Sequence, residues 1–159
     1  MSKPFTPLTR ARGFTLVELM ITVIVLGIIA TIAIPSFSRL ITSQRSRNAA
    51  SDLASAVTLA RSEAVKRNSV ATMAASGAAW TNGWAVTAGA EKVRGYGPYD
   101  GLAITASGGT ALSIGNDGRP GNGGQTFQVT PSDTAMADAT ICVQVSGTGR
   151  VSMVSGACS

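Results

Sequence analysis

The chain contains no histidine, and its 159 residues include only two cysteines, two tryptophans and eight acidic side chains. Without histidine it lacks the commonest general base and the commonest nitrogen ligand for metals. Two cysteines alone do not build a structural zinc site. No nucleophile–base pair and no carboxylate cluster stands out, so the residues point away from an enzyme, with no cofactor and no metal expected. Aromatics are 5% of the chain and glycines number 18, so any core must be small and rich in alanine and glycine.

The charge is unevenly placed. The formal +5 includes Lys3, Arg10 and Arg12, which all precede Phe14. Between Arg39 and Arg67 six basic residues face Asp52 and Glu63, a local +4. From Asn68 onward, Lys92, Arg94, Arg119 and Arg150 oppose five acids, a net of −1. By charge count the C-terminal half is therefore no basic nucleic-acid module. The length suits one domain plus an anchor.

What the chain does have is an apolar run from Phe14 to Pro35, 22 residues. As a helix it spans ~33 Å, enough for a hydrocarbon core of ~30 Å. A secretory signal would close such a run with a small-x-small cleavage site. Here the run ends Ile-Ile-Ala-Thr-Ile-Ala-Ile-Pro with no convincing site, and the helical pattern continues. A plain anchor leaves Glu18 unexplained, because an ionised side chain in a bilayer costs ~2.5–3.5 kcal/mol even on lenient scales. Lys3, Arg10 and Arg12 against Arg39, Arg45 and Arg47 give no orientation by charge bias.

The stretch Arg12-Gly13-Phe14-Thr15-Leu16-Val17-Glu18-Leu19 resembles the class III signal of type IV prepilins and type II secretion pseudopilins. The resemblance implies cleavage after Gly13 by a prepilin peptidase on the cytoplasmic side, then N-methylation of Phe14. It also implies that Glu18, the fifth mature residue, pairs with the N-terminal amine of a neighbouring subunit during assembly. A buried charge is tolerable only with such a partner. The N-terminus is then cytoplasmic, the globule periplasmic, and the chain crosses the bacterial inner membrane once before joining a filament. Pro35 lacks an N–H and is expected to kink the helix; in related filaments the preceding stretch, here about 27–35, loses helicity.

Beyond Pro35 the helical period resumes. Leu53, Val57, Ala60 and Ala64 fall at i, i+4, i+7 and i+11, an apolar stripe suited to packing on a sheet. One long helix is expected over 14–67. The segment 59–70 resembles the helix end shared by the GspH/FimT/FimU group of minor pilins and pseudopilins. From residue 70 the period turns to alternation, with strands expected at 70–75, 83–87, 102–105, 111–114, 126–130, 140–145 and 150–154. Ser146–Gly149 reads as a tight hairpin turn. Trp80-Thr81-Asn82-Gly83-Trp84 resembles the W-x-x-G-W element of the same group, with Trp84 expected in the core. The stretch 115–125 reads as an exposed mobile loop, not a phosphate cradle, since no Gly-Lys-Ser/Thr follows.

Cys142 and Cys158 suit a single disulfide in an oxidising compartment, stapling the last hairpin; two unrelated buried thiols is the alternative. The fold expected is α+β and pilin-like: one long N-terminal helix, its first half membrane-spanning, packed on a C-terminal antiparallel β-sheet globule. The expected divisions are leader 1–13, membrane and assembly half 14–35, amphipathic half 36–68 and globule 69–159.

Three non-enzymatic functions follow. The first is a minor pilin or pseudopilin near the tip of a type IV pilus or type II secretion pseudopilus, with other pilins as partners. The second is a FimT-like DNA-binding pilin for DNA uptake. That subgroup carries Gly-Arg-x-Arg, and here Gly149-Arg150-Val151-Ser152 keeps only the first arginine. Phosphate binding would then need Arg119 and Arg150 to converge with Lys92 or Arg94. The third is a membrane-anchored protein that never assembles.

Overall fold

The computed structural model describes residues 13–158. They fall into two units, one ending at Ser38 and one beginning at Arg39. A single helix, α1 (Leu16–Arg67), supplies residues to both.

In the first unit α1 is apolar and uncovered. Leu16, Ile21, Val23, Leu26 and Ile32 are all more than half exposed, and the segment is long and apolar enough to cross a membrane. The helix begins with a reciprocal pair: the Glu18 N–H donates to Thr15 Oγ1 at 3.2 Å, and the Thr15 N–H donates to Glu18 Oε2 at 3.5 Å. That is a capping box, which satisfies orphan N–H groups at a helix start. The helix is unbroken through residues 27–35.

In the second unit the expected stripe is buried. Leu53, Val57, Ala60 and Ala64 are fully inaccessible, joined by Ala49, Ala50 and Ala56. α1 closes at Asn68, whose φ of 48° is left-handed. The Ser69 N–H donates to the Ala64 carbonyl at 3.1 Å and the Asn68 N–H to the Val65 carbonyl at 3.2 Å. This Schellman closure uses asparagine, the non-glycine residue that best tolerates that backbone region.

Eight antiparallel strands follow in two sheets. The first has the order β3-β2-β1-β5, from β1 (Ala71–Ala75), β2 (Trp84–Ala88), β3 (Glu91–Tyr96) and β5 (Ala111–Ile114). The second has the order β4-β6-β7-β8, from β4 (Leu102–Ala106), β6 (Gly124–Pro131), β7 (Ile141–Ser146) and β8 (Val151–Ser155). Strand alternation sends Met73, Val86, Leu112, Phe127, Val129 and Val143 inward, and all are buried in one cluster with the helix stripe. Leu53→Ala, at the centre of that cluster, is expected to lower the unfolding free energy by about 3 kcal/mol. Urea titration checks it: the midpoint should fall with the slope unchanged.

Two expectations need correction. β3 was absent from the expected strands, because Glu91-Lys92-Val93-Arg94 has no apolar alternation. It pairs with β2 through a bulge at Val86/Thr87 and lies at a sheet edge, so its side chains remain solvated. The stretch 115–125 is not a free loop. Gly118 and Pro120 are buried, Ile114 bridges Pro120, and Asp117 Oδ1 accepts the Arg119 N–H at 3.0 Å. Its Asn116 donates to Asn68 Oδ1 at 2.9 Å, holding it to the end of α1.

Candidate functional site

The N-terminal signal lies in the open. Gly13 and Phe14 precede the first turn of α1 and are exposed, and a Cβ on Gly13 would meet nothing within 4 Å. Packing within the chain therefore gives no reason for glycine at that position. Residues 1–12 of the expected 1–13 leader lie outside the described residues. Glu18 sits one turn from Phe14, and among the described residues its carboxylate is engaged only by the local cap. The sequence signal for that cap, Thr-x-x-Glu, is present at 15–18.

The disulfide is formed between Cys142 in β7 and Cys158 beyond β8, with a Cα–Cα distance of 5.1 Å. Val143 and Val145 face the core while Cys142 is buried on the opposite side of the strand. The Ser146–Gly149 hairpin is also present: the Gly149 N–H donates to the Ser146 carbonyl at 2.8 Å, with Gly149 at φ 77°.

Trp84 is a core residue, 1% exposed. It stacks on Tyr99 at 4.8 Å and on Tyr96 at 5.7 Å between ring centroids. Gly83 has φ 94°, and a Cβ there would overlap the Tyr96 carbonyl, so the glycine between the tryptophans lets this stack close. Trp80 packs edge-on to Phe127 at 4.9 Å and donates its indole N–H to the Gly109 carbonyl at 2.8 Å. Tyr99 Oη donates to Asp52 Oδ2 on α1 at 2.8 Å, a tie that sequence pattern does not reveal.

Burial, and then the Asp52 bond, pushes the Tyr99 phenol above its ordinary range. A raised folded-state value favours the protonated form, so this stability is fully present below pH ~10 and lost as pH rises further. Tyr99→Phe is expected to cost about 1–2 kcal/mol at neutral pH. Thermal melts should show that deficit shrinking above pH ~10.

The four basic residues named for nucleic acid do not form one group. Lys92 and Arg94 lie on β3, at one edge of the first sheet, while Arg119 lies beyond β5, the opposite edge. Three strand spacings of ~4.8 Å separate those edges. Arg94 stacks over Tyr96, 5.1 Å from its centroid. The backbones just before Arg119 and Arg150 meet: a Cβ on Gly149 would stand 2.6 Å from the Gly118 carbonyl and 3.7 Å from Arg61 Nε. Arg61 of α1 lies at that contact, and among the described residues Arg61, Arg119 and Arg150 have no ion-pair partner. The charged tie at the helix end is a different one. Arg67 bonds Glu63 at 2.7 Å and also Glu91 of β3. Arg67 thereby holds the Glu91 carboxyl below its ordinary range.

A long helix whose buried stripe lies on antiparallel sheets, headed by Gly-Phe-Thr-Leu-x-Glu, defines a pilin-like protein. Comparison with known proteins gives the family. The profile for type II transport protein GspH matches residues 49–149, and that for the prokaryotic N-terminal methylation motif matches residues 8–34. The chain belongs to the GspH family. The type IV minor pilin FimU of Pseudomonas aeruginosa has a similar fold in a crystal structure, with a TM-score of 0.59, 20% identity, and coverage of 68% of this chain and 87% of that one. The minor pseudopilin EpsH of the Vibrio cholerae type 2 secretion system gives a TM-score of 0.52 at 12% identity, covering 70% of this chain and 97% of that one. A search of curated proteins returned no match.

Proposed function

We propose that the chain is cleaved after Gly13 by a prepilin peptidase, N-methylated on Phe14, and assembled near the initiating tip of a type IV pilus or type II secretion pseudopilus. Before assembly it spans the bacterial inner membrane once, N-terminus cytoplasmic and globule periplasmic. On this reading the leader is 1–13, the assembly half 14–35, the amphipathic half 36–68 and the globule 69–159. The reading involves no reaction, metal or cofactor; the partners are the peptidase and other pilins. The observation that carries it is one carboxylate, Glu18, in the otherwise apolar, uncovered stretch of α1 before Arg39, which follows Gly13-Phe14 after a single residue. Pro35 makes 27–35 the stretch to open when helices pack in the filament, since its missing N–H already weakens the ladder there. Filaments sheared from cells that express the chain with its neighbouring pilins test the assignment. The chain should be present at a small fraction of the major subunit; its restriction to the membrane fraction contradicts assembly.

The contact of Arg61 with Gly118 and Gly149, the residues before Arg119 and Arg150, favours a second reading, a FimT-like pilin that binds DNA through phosphates. All three arginines are exposed and without an ion-pair partner among the described residues, free to engage a phosphate backbone, and such binding is salt-dependent. Mobility shift of DNA by the full chain in detergent decides it: retardation at micromolar protein that vanishes on raising salt supports DNA binding, and none ends it.

A further inference from the structure

Each sheet edge of the globule is treated differently. β3 is charged and bulged, with Glu91, Lys92 and Arg94 along it. β5 is closed by the Ile114–Pro120 bridge and by the Gly121 N–H on the Ser113 carbonyl at 3.0 Å. β4 gives its outward Ile104 N–H to Thr81 Oγ1 at 3.1 Å. Charge, bulges and covering segments are the ordinary defences of an edge against another strand. β8 has none of them. Its sequence, Val-Ser-Met-Val-Ser, carries no charge and no proline, and Met153 and Val154 are each 52% exposed.

The ladder shows which groups are free. The Ser146 N–H donates to the Arg150 carbonyl and the Gly156 N–H to the Thr140 carbonyl. With the register of Cys142 on Val154 and Gln144 on Ser152, even-numbered residues of β8 bond to β7. In an antiparallel pair the alternate residues then turn their N–H and C=O the other way. Those residues are Val151, Met153 and Ser155, and no described residue supplies partners for their outward groups.

The space beside β8 is also unfilled. A groove of ≈ 540 Å³ lies between the strand and α1, and a second of ≈ 370 Å³ continues it towards Ser155. Met153 lines both. The helix wall is a row of small hydroxyl residues, Ser51, Ser55, Thr58 and Ser62, at i, i+4, i+7 and i+11. The second sheet thus stops one strand short of covering the helix.

We propose that the β8 edge accepts an extended strand from another, different polypeptide. It bonds the outward groups of Val151, Met153 and Ser155, turns small apolar side chains onto Met153 and the hydroxyl row, and carries acidic residues at its ends. The backbone chemistry of an edge specifies a strand, and the pocket beside it selects alternate side chains. The ends follow from charge: no carboxylate lines either groove, Arg47 stands at the Ser155 end, and Arg61 and Arg150 stand at the Val151 end. A second copy is disfavoured by the same charges. Antiparallel pairing of two β8 strands about Met153 would bring Arg150 of one copy to Arg47 of the other. The proposal concerns a surface of the globule and holds whether or not the leader is removed.

The full chain in lipid nanodiscs tests it, with a fluorescent peptide of alternating valine and threonine bearing glutamates at both ends as the probe. Saturable binding should slow amide exchange in residues 151–155 by about tenfold or more and leave 91–96 unchanged. The same peptide with lysine ends should bind at least about tenfold more weakly at low salt. Met153→Pro removes an outward N–H without touching the β7 ladder and should reduce binding at least about tenfold. Met153→Lys, a charge on the edge, should do the same and serves if the proline variant does not fold. No binding up to about millimolar peptide, slowed exchange at another edge, or equal binding to a folded Met153 variant overturns the proposal. A chain already dimeric through residues 151–155, made monomeric by Met153→Pro, shows a second copy as the occupant and overturns it equally.

Discussion

Glu18→Ala is expected to leave cleavage after Gly13 intact and to reduce incorporation into filaments by at least about tenfold. On the proposed reading its carboxylate meets the Phe14 amine of a neighbouring subunit in an apolar setting. Truncating one partner of such a pair leaves the other buried and unpaired, at a cost of about 2–5 kcal/mol, and each ~1.4 kcal/mol is a factor of ten. The structure adds a competing local role, because Glu18 also closes a capping box with Thr15. Loss of a cap costs about 0.5–2 kcal/mol, enough to fray the first turn. Glu18→Gln separates the two. Glutamine completes a capping box as well as glutamate does but carries no charge. If charge pairing governs assembly, Glu18→Gln should fail in filaments as Glu18→Ala does, while keeping the helix start. Incorporation of Glu18→Gln at the normal level would reduce Glu18 to a cap and contradict the pairing account.

Removing the disulfide is the second large effect. Cys142 and Cys158 are 16 positions apart, and a loop of that length is worth about 3 kcal/mol in the chain-entropy treatment. For a globule of this size the double variant Cys142→Ser/Cys158→Ser should melt about 10 °C lower or more. Reduction of the unaltered chain should reproduce the shift. The loss should be centred on β8, because the bridge holds the segment after that strand to the start of β7. Amide exchange should therefore rise first in residues 151–158. A melting temperature unchanged by both treatments would show that the hairpin stands without its staple. Such a dependence also requires that the globule mature in an oxidising compartment, as a periplasmic location provides.

How far the fold could be read ahead depended on how local each determinant is. The N-terminal signal is a contiguous run of residues, so Gly13, Phe14 and Glu18 were legible at once. The stripe Leu53, Val57, Ala60 and Ala64 was legible because a helix repeats its buried face every three or four residues, and all four are inaccessible. The Cys142–Cys158 pair was legible because two cysteines leave a single pairing. β3 was hidden by its function as an edge: solvated on most of its surface and carrying a bulge, it needs no apolar alternation.

Contacts between distant segments were not legible. Asn116 meets Asn68, Tyr99 meets Asp52, and Gly118 and Gly149 close around Arg61. Each joins residues separated by tens of positions, and no periodicity records such a meeting. The position of Arg61 against Gly118 and Gly149, the residues before Arg119 and Arg150, was likewise invisible, because it depends on how α1 meets two distant loops. The free edge of β8 was equally invisible, since an edge is defined only once the strand order is known.

The central claim is that the chain is a processed, assembling pilin. Intact-mass measurement of the chain expressed with and without a prepilin peptidase tests it most directly. The account predicts a peptidase-dependent loss of the first 13 residues and a new N-terminal Phe14 bearing one added methyl group. A chain that keeps its N-terminus in the presence of an active peptidase, or is cut the same way without it, contradicts the account.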